Sequence, residues 1–216
     1  MMAAQRVGEE EQLNQDLFDK YGVTLRTFKD TPPPNSQGQN EKLVQAAEFC
    51  CLQMGVYEDT ETVQDAKMAR VERLLHEGYS VNSVDHNGWT AAMHAARAGH
   101  LPLLTRLSSL PSFDPTLSDE SGKTAGMWAA EGGHREALHL LMQAPTFDLD
   151  QPDSFGGTAL VYAVVNGHTD IVQTLLRAGA RQKVGMFGQS AQEAAAEEGH
   201  EEIAKMLETA YNGGFV

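Results

Sequence analysis

NGWTAAMHAARAGH, residues 87–100, closes on a Gly-His pair that returns as EGGH at 131–134, VNGH at 165–168 and EEGH at 197–200. His100, His134, His168 and His200 are therefore 34, 34 and 32 residues apart. Anchored on these pairs, the chain superposes on itself. Thr90, Thr124, Thr158 and Ser190 fall ten residues before the histidines, and Gly88, Gly122, Gly156 and Gly188 fall twelve before. Asp85, Asp119 and Asp153 precede the first three of those glycines by three. A period in the thirties running through four blocks is the signature of stacked repeats, each too small to bury its apolar face alone.

Each block reads as a turn, a short helix, a tight bend and a second helix. The Asp-x-x-Gly opening has turn chemistry, and the Thr or Ser two residues after the glycine is a helix N-cap whose hydroxyl accepts from a first-turn amide. The first helix carries small pairs, Ala95–Ala96, Ala129–Ala130, Ala163–Val164 and Ala195–Ala196, which let neighbouring helices approach closely. Gly99, Gly133, Gly167 and Gly199 end it, where a left-handed residue without a Cβ is the least costly stop. The second helix supplies bulk at helical spacing: Leu103, Leu104 and Leu107; Leu138 and Leu141; Ile171, Val172, Leu175 and Leu176; Ile203 and Leu207.

The segments TAAMHAARAGH, TAGMWAAEGGH, TALVYAVVNGH and SAQEAAAEEGH resemble the ankyrin repeat, whose pattern runs through a turn, a T-P-L-H-x-A segment and a Gly-His pair. The resemblance covers about residues 65 to 210, and it implies an all-α solenoid of stacked helix-turn-helix repeats with protruding turns. There are departures. The proline is replaced by Ala91, Ala125, Ala159 and Ala191, and the first histidine of the pattern by Met93, Met127, Val161 and Glu193. Gly126 stands where the family has a buried leucine, so the sequence predicts that Trp128 or a side chain from an adjacent repeat fills the gap.

About five repeats are expected, the first and last acting as caps: an atypical one at about 41–84, then about 85–118, 119–152, 153–184 and 185–216. In the first, ARVERLLHEGYSVNSVD looks like a second helix and outgoing turn, with EKLVQAAEFCCLQM as its first helix and GVYEDTETVQD as an insertion. In the last, Gln192, Glu193, Glu197, Glu198, Glu201 and Glu202 make a polar end that suits exposure to water. Residues 1–40 differ in kind. Leu13, Leu17, Phe18 and Tyr21 share one helical face, and DTPPPNSQGQN reads as a polar, Pro-rich linker, so this arm is expected to dock either on the array or on a partner.

Sixteen Lys and Arg against thirty Asp and Glu give a formal charge of −14, which disfavours nucleic acid and anionic membranes and favours a protein partner with some basic character. No membrane span or leader is expected, and the only cysteines, Cys50 and Cys51, are adjacent and suit a reducing compartment, the cytosol or nucleus. The four Gly-His histidines cannot share a metal. Equivalent helices lie about 8–10 Å apart, whereas ligating nitrogens sit about 2.1 Å from zinc. The resemblance implies instead that each tethers its interhelical bend by hydrogen bonds. SGKTAG at 121–126 imitates a phosphate-binding loop but has Leu117 where the first glycine is needed. No cofactor site, metal site or catalytic constellation is read, so the expected function is non-enzymatic.

What remains is surface. The family holds partners with its turn tips and the concave side of its first helices. Carried over position by position, that surface comprises His86, Asn87, Trp89 and Arg97; Glu120, Lys123 and Glu131; Phe155 and Val165; and Met186 and Phe187. Trp89, Phe155, Met186 and Phe187 are apolar where the fold requires nothing apolar, while Tyr162 and Trp128 are placed nearer the core. An adaptor or interaction module is expected, with a permanent subunit of a larger assembly as the alternative. The resemblance further implies that Asn82, in a repeat turn, is of the kind modified by an asparaginyl hydroxylase, although Ser80 replaces the acid usually preferred two residues earlier.

Overall fold

The computed structural model describes residues 41–51, 61–181 and 188–211. Among these residues the chain forms ten helices: α1 Glu41–Cys51, α2 Glu61–His76, α3 Ala91–Ala98, α4 Leu101–Ser108, α5 Ala125–Glu131, α6 Arg135–Leu141, α7 Ala159–Val165, α8 Thr169–Arg177, α9 Ala191–Glu197 and α10 Glu201–Tyr211. Consecutive helices pair as α1–α2 through α9–α10. The odd-numbered helices stack into one row, and α4 on α6 and α8 on α10 belong to a second. Between pairs the backbone juts out in a tight turn, closed by isolated antiparallel bridges at Val84–Thr90 and Ser118–Thr124. Successive tips are stitched together, the Glu120 amide donating to Asn87 O at 3.3 Å and the Ser154 amide to Ser121 O at 3.0 Å. The architecture is the all-α stack that the repeat implies. No helix among the described residues is long and apolar enough to cross a membrane.

Local chemistry places the helices as expected. The hydroxyls of Thr90, Thr124, Thr158 and Ser190 accept from the amides of Met93, Met127, Val161 and Glu193 at 3.2, 3.4, 3.4 and 3.2 Å. The small pairs on the first-row helices are buried, apart from Ala196, which no helix among the described residues covers. Every second-row residue named above is buried as well, and with the small pairs they make one continuous core through the stack. EKLVQAAEFCC is a helix packed on α2 and α3, while residues 52–60 lie outside the described ones, as does the arm 1–40.

The Gly-His pairs lock one repeat to the next. His134 Nε2–H donates to the carbonyl of Arg97 at 2.9 Å, His168 to that of Glu131 at 3.0 Å and His200 to that of Val165 at 3.2 Å. Each acceptor is an otherwise orphaned carbonyl at the end of the preceding first-row helix. These three tethers cross the repeat boundary, while His100 Nδ1 accepts the Leu103 amide within its own interhelical bend at 3.2 Å. The glycines form the other half of the lock. A Cβ on Gly133, whose φ is +76°, would stand 2.7 Å from His168 Cε1, so the imidazole occupies the space a side chain would need.

The gap at Gly126 is filled, but by neither candidate. A Cβ there would lie 2.7 Å from Phe147 Cε2, a ring supplied by the outgoing turn of the same repeat. Trp128 points elsewhere. Its indole N–H donates to Asp119 Oδ2 at 3.1 Å, which satisfies a donor partly withdrawn from water.

Cys50 and Cys51 are free thiols on α1. Burial, partly offset by Lys67, pushes both up to about 12. Because the thiolate is the reactive form, neither should be alkylated by iodoacetamide in the native protein at about pH 8, and both should react once the chain is denatured. Mass spectrometry of the two samples checks this.

Candidate functional site

Three turn tips are built on the same carboxylate arrangement. Asp85, Asp119 and Asp153 each use Oδ1 to accept two amides of their own turn: Asn87 and Trp89 at 2.8 and 2.9 Å, Ser121 and Lys123 at 2.9 and 3.0 Å, Phe155 and Gly157 at 2.8 and 2.7 Å. The second oxygen faces the residue nine positions on, in the following helix. Trp128 donates to Asp119, and the Tyr162 hydroxyl donates to Asp153. Burial first, and then the Asp153 bond, push the Tyr162 phenol far above its ordinary range and keep it a donor. His94 occupies the equivalent place at Asp85 but stands off at 3.5 Å.

Above these rungs lies a stacked surface. Trp89 reaches forward one repeat onto Trp128, ring centroids 4.4 Å apart, and the Arg97 guanidinium lies 5.4 Å from both ring centroids. Lys123 makes the same forward reach. Its Nζ stands 4.3 Å from the Trp128 centroid and 4.1 Å from that of Tyr162, and it pairs with Glu131 at 2.7 Å. Cations within about 6 Å of an aromatic face are attracted to it, more so where water is partly excluded. The pattern has a register: residue 89 touches 97, residue 123 touches 131, and Gln189 donates to both carboxylate oxygens of Glu197 at 3.1 and 3.0 Å.

The structure therefore gathers Trp89, Arg97, Lys123 and Glu131 and adds three residues to them. Trp128, expected nearer the core, is half-buried in the middle of the surface. Tyr162 is buried as expected, yet its ring face receives Lys123, and His94 lies 4.9 Å from Trp89. The signal that could have found all three is their spacing of nine residues from the turn aspartates, each a side chain with a polar ring atom. His86, Asn87 and Glu120 are exposed at the tips, Phe155 is 52% exposed, and Val165 is half-buried against the core. Met186 and Phe187 lie outside the described residues.

Asn82 is spent on structure. Its side-chain amide donates to Ser112 O at 2.6 Å and its oxygen accepts from the Asp114 amide at 3.1 Å, tying the first turn to the outgoing turn of the next repeat. Asn82→Ala removes both bonds and is expected to cost about 1–3 kcal/mol in a chemical-denaturation curve.

Among the described residues no group of three or more His, Cys, Asp or Glu is placed to hold a metal ion. A search of curated proteins returned no match to the chain. The family model described as ankyrin repeats (3 copies) matches residues 62–153 and 145–213. With that match spanning most of its length, and with capped helix pairs locked through Gly-His bonds at its period, the chain belongs to the ankyrin repeat family.

Proposed function

We propose that this chain is a protein-recognition module whose partner docks across the turn tips and the exposed side of the first-row helices. Ankyrin repeats are generally protein–protein interaction modules, typically without catalytic activity, and the reading of this chain's own surface goes further. The observation that carries it is the preassembled Trp89–Arg97–Trp128 stack. Tryptophan and arginine dominate the energetic centres of interfaces, and side chains already held by each other lose little further entropy when a partner arrives. His86, Asn87 and Phe155 extend the contact along the tips. Glu120 lies exposed on the rim, with Glu197 and Glu198 at the last first-row helix. Those carboxylates, with the net charge of −14, favour a partner bearing basic groups, and two free cysteines suit the cytosol or nucleus.

Lys123, Glu131 and Val165 serve this surface by shaping it, since the first two are paired with each other and the third packs on the core. The test is quantitative cross-linking and capture from cell extract with three folded proteins: the parent chain, Arg97→Glu/Phe155→Ser, and Arg135→Glu/Glu202→Lys on the second row. The first double variant should lose at least tenfold of a specific partner while the second retains it. Loss confined to the second-row variant would move the interface to the outer helices and overturn the reading.

A further inference from the structure

The three turn aspartates face three chemically different rings, and only two of the three rungs are closed. Trp128 and Tyr162 donate to Asp119 and Asp153, whereas His94 Nε2 is buried, makes no hydrogen bond and stands 3.5 Å from Asp85 Oδ2. Both side chains are enclosed, with His94 at 16% and Asp85 at 13% exposure. The charged groups facing the imidazole are Glu48 from α1, Asp85 from the turn and Arg97 from its own helix. On the side of α5, Trp128 lies beyond Trp89, with the Lys123 ammonium and the Asp119 carboxylate against its indole. Burial outweighs the two carboxylates and holds His94 below the ordinary histidine range, with Arg97 acting in the same direction as burial. The direction of that shift favours the uncharged ring, and in the structure the rung is open.

We propose that His94 is a proton-operated latch beneath the Trp89–Arg97–Trp128 surface: on acidification its imidazolium closes onto Asp85 and reseats Trp89. This rests on the interface reading above and names a regulation of the same site. Two connections carry the movement. The ring itself lies 4.9 Å from the Trp89 ring, and the other oxygen of Asp85 accepts the Trp89 amide at 2.9 Å, so a shift of the carboxylate acts on the peptide that bears the indole. Protonation also places a second positive charge beside Arg97, which weakens the attraction of a basic partner. The other two rungs have no equivalent, because indole and phenol do not take up a proton in this range.

The chain's only two tryptophans, Trp89 and Trp128, both lie in this stack, so the device is readable in the isolated protein without any partner. His94 ring signals and both indole N–H signals are followed by NMR from about pH 8 to about pH 5.3, above the isoelectric point of about 4.9, alongside tryptophan emission. The expected result is one transition shared by His94 and the indoles, with a midpoint below about 6.5. It should be absent from His94→Phe, which cannot donate, and from His94→Tyr, which closes the rung at every pH as Tyr162 does. Indole signals that stay still while His94 titrates, or a transition that persists in both variants, would overturn the latch. Should either variant fail to fold, the wild-type titration decides by itself. A failed latch with intact partner capture leaves the interface standing, and a working latch with capture unaffected by Arg97→Glu removes the interface instead.

Discussion

Replacing Gly133 by alanine is expected to cost about 2–4 kcal/mol, whereas the same change at Gly199 should cost only about 1–2. The two glycines share a φ of +76°, so the backbone penalty for a Cβ in the left-handed region is common to both. They differ in what the Cβ meets. At Gly133 it would lie 2.7 Å from His168 Cε1 and 3.0 Å from Nδ1, while at Gly199 nothing among the described residues lies within 4 Å. To relieve the clash, His168 must retreat and release the Glu131 carbonyl that it now holds at 3.0 Å. Thermal and urea unfolding of both variants by circular dichroism gives the comparison directly. Equal losses would show that the imidazole yields without cost and that the glycine is there for its dihedral angle alone.

Trp128→Ala is expected to destabilise the chain by about 3 kcal/mol or more, a large effect for a residue that is only half-buried. The indole serves four neighbours at once. It lies under Trp89 and Arg97, faces the Lys123 ammonium, and caps Asp119, a carboxylate only 8% exposed. Its removal leaves that buried oxygen unsatisfied, and unpaired buried charge is costly. Trp128→Phe separates the contributions, since it keeps a ring under Trp89 and loses only the N–H donor, at an expected cost of about 1–3 kcal/mol. Emission from the remaining Trp89 should shift to the red in the alanine variant, as that indole loses the ring beneath it. A stability loss under 1 kcal/mol in Trp128→Ala would mean that Trp89 and Lys123 repack onto each other and that the stack is not cooperative.

The single observable that made the fold legible was periodicity, and physics explains why it sufficed. Stacked repeats impose the same local problem at each step: a turn to be closed, a helix to be capped, a carbonyl to be satisfied and a close approach to be allowed. Thr90 with Thr124, and His134 with His168, are therefore equivalent answers to equivalent demands, and an alignment of the chain with itself displays them. The small pairs, apart from Ala196, and the second-row residues lie in the core for the same reason.

The functional surface was less legible because its side chains reach out of their own repeat. Trp89 finds Trp128, and Lys123 finds Tyr162, each across a boundary that the alignment treats as a seam. Lys123 and Glu131 read as independent surface charges until the turn brings residues eight apart together. Gly126 posed the same difficulty. Its shortage of volume was visible in the sequence, but Phe147 follows a whole helix and a turn later, at no local spacing that would name it.

By itself, then, the sequence determined the repeat, its capping and its locking residues, because these follow from short-range chemistry repeated along the chain. Only the tertiary structure decided which exposed groups are free and which are spent on each other, placed Trp128 in the stack and left the His94 rung open. Those outcomes depend on distances between side chains of neighbouring repeats, and one-dimensional periodicity carries no such distances.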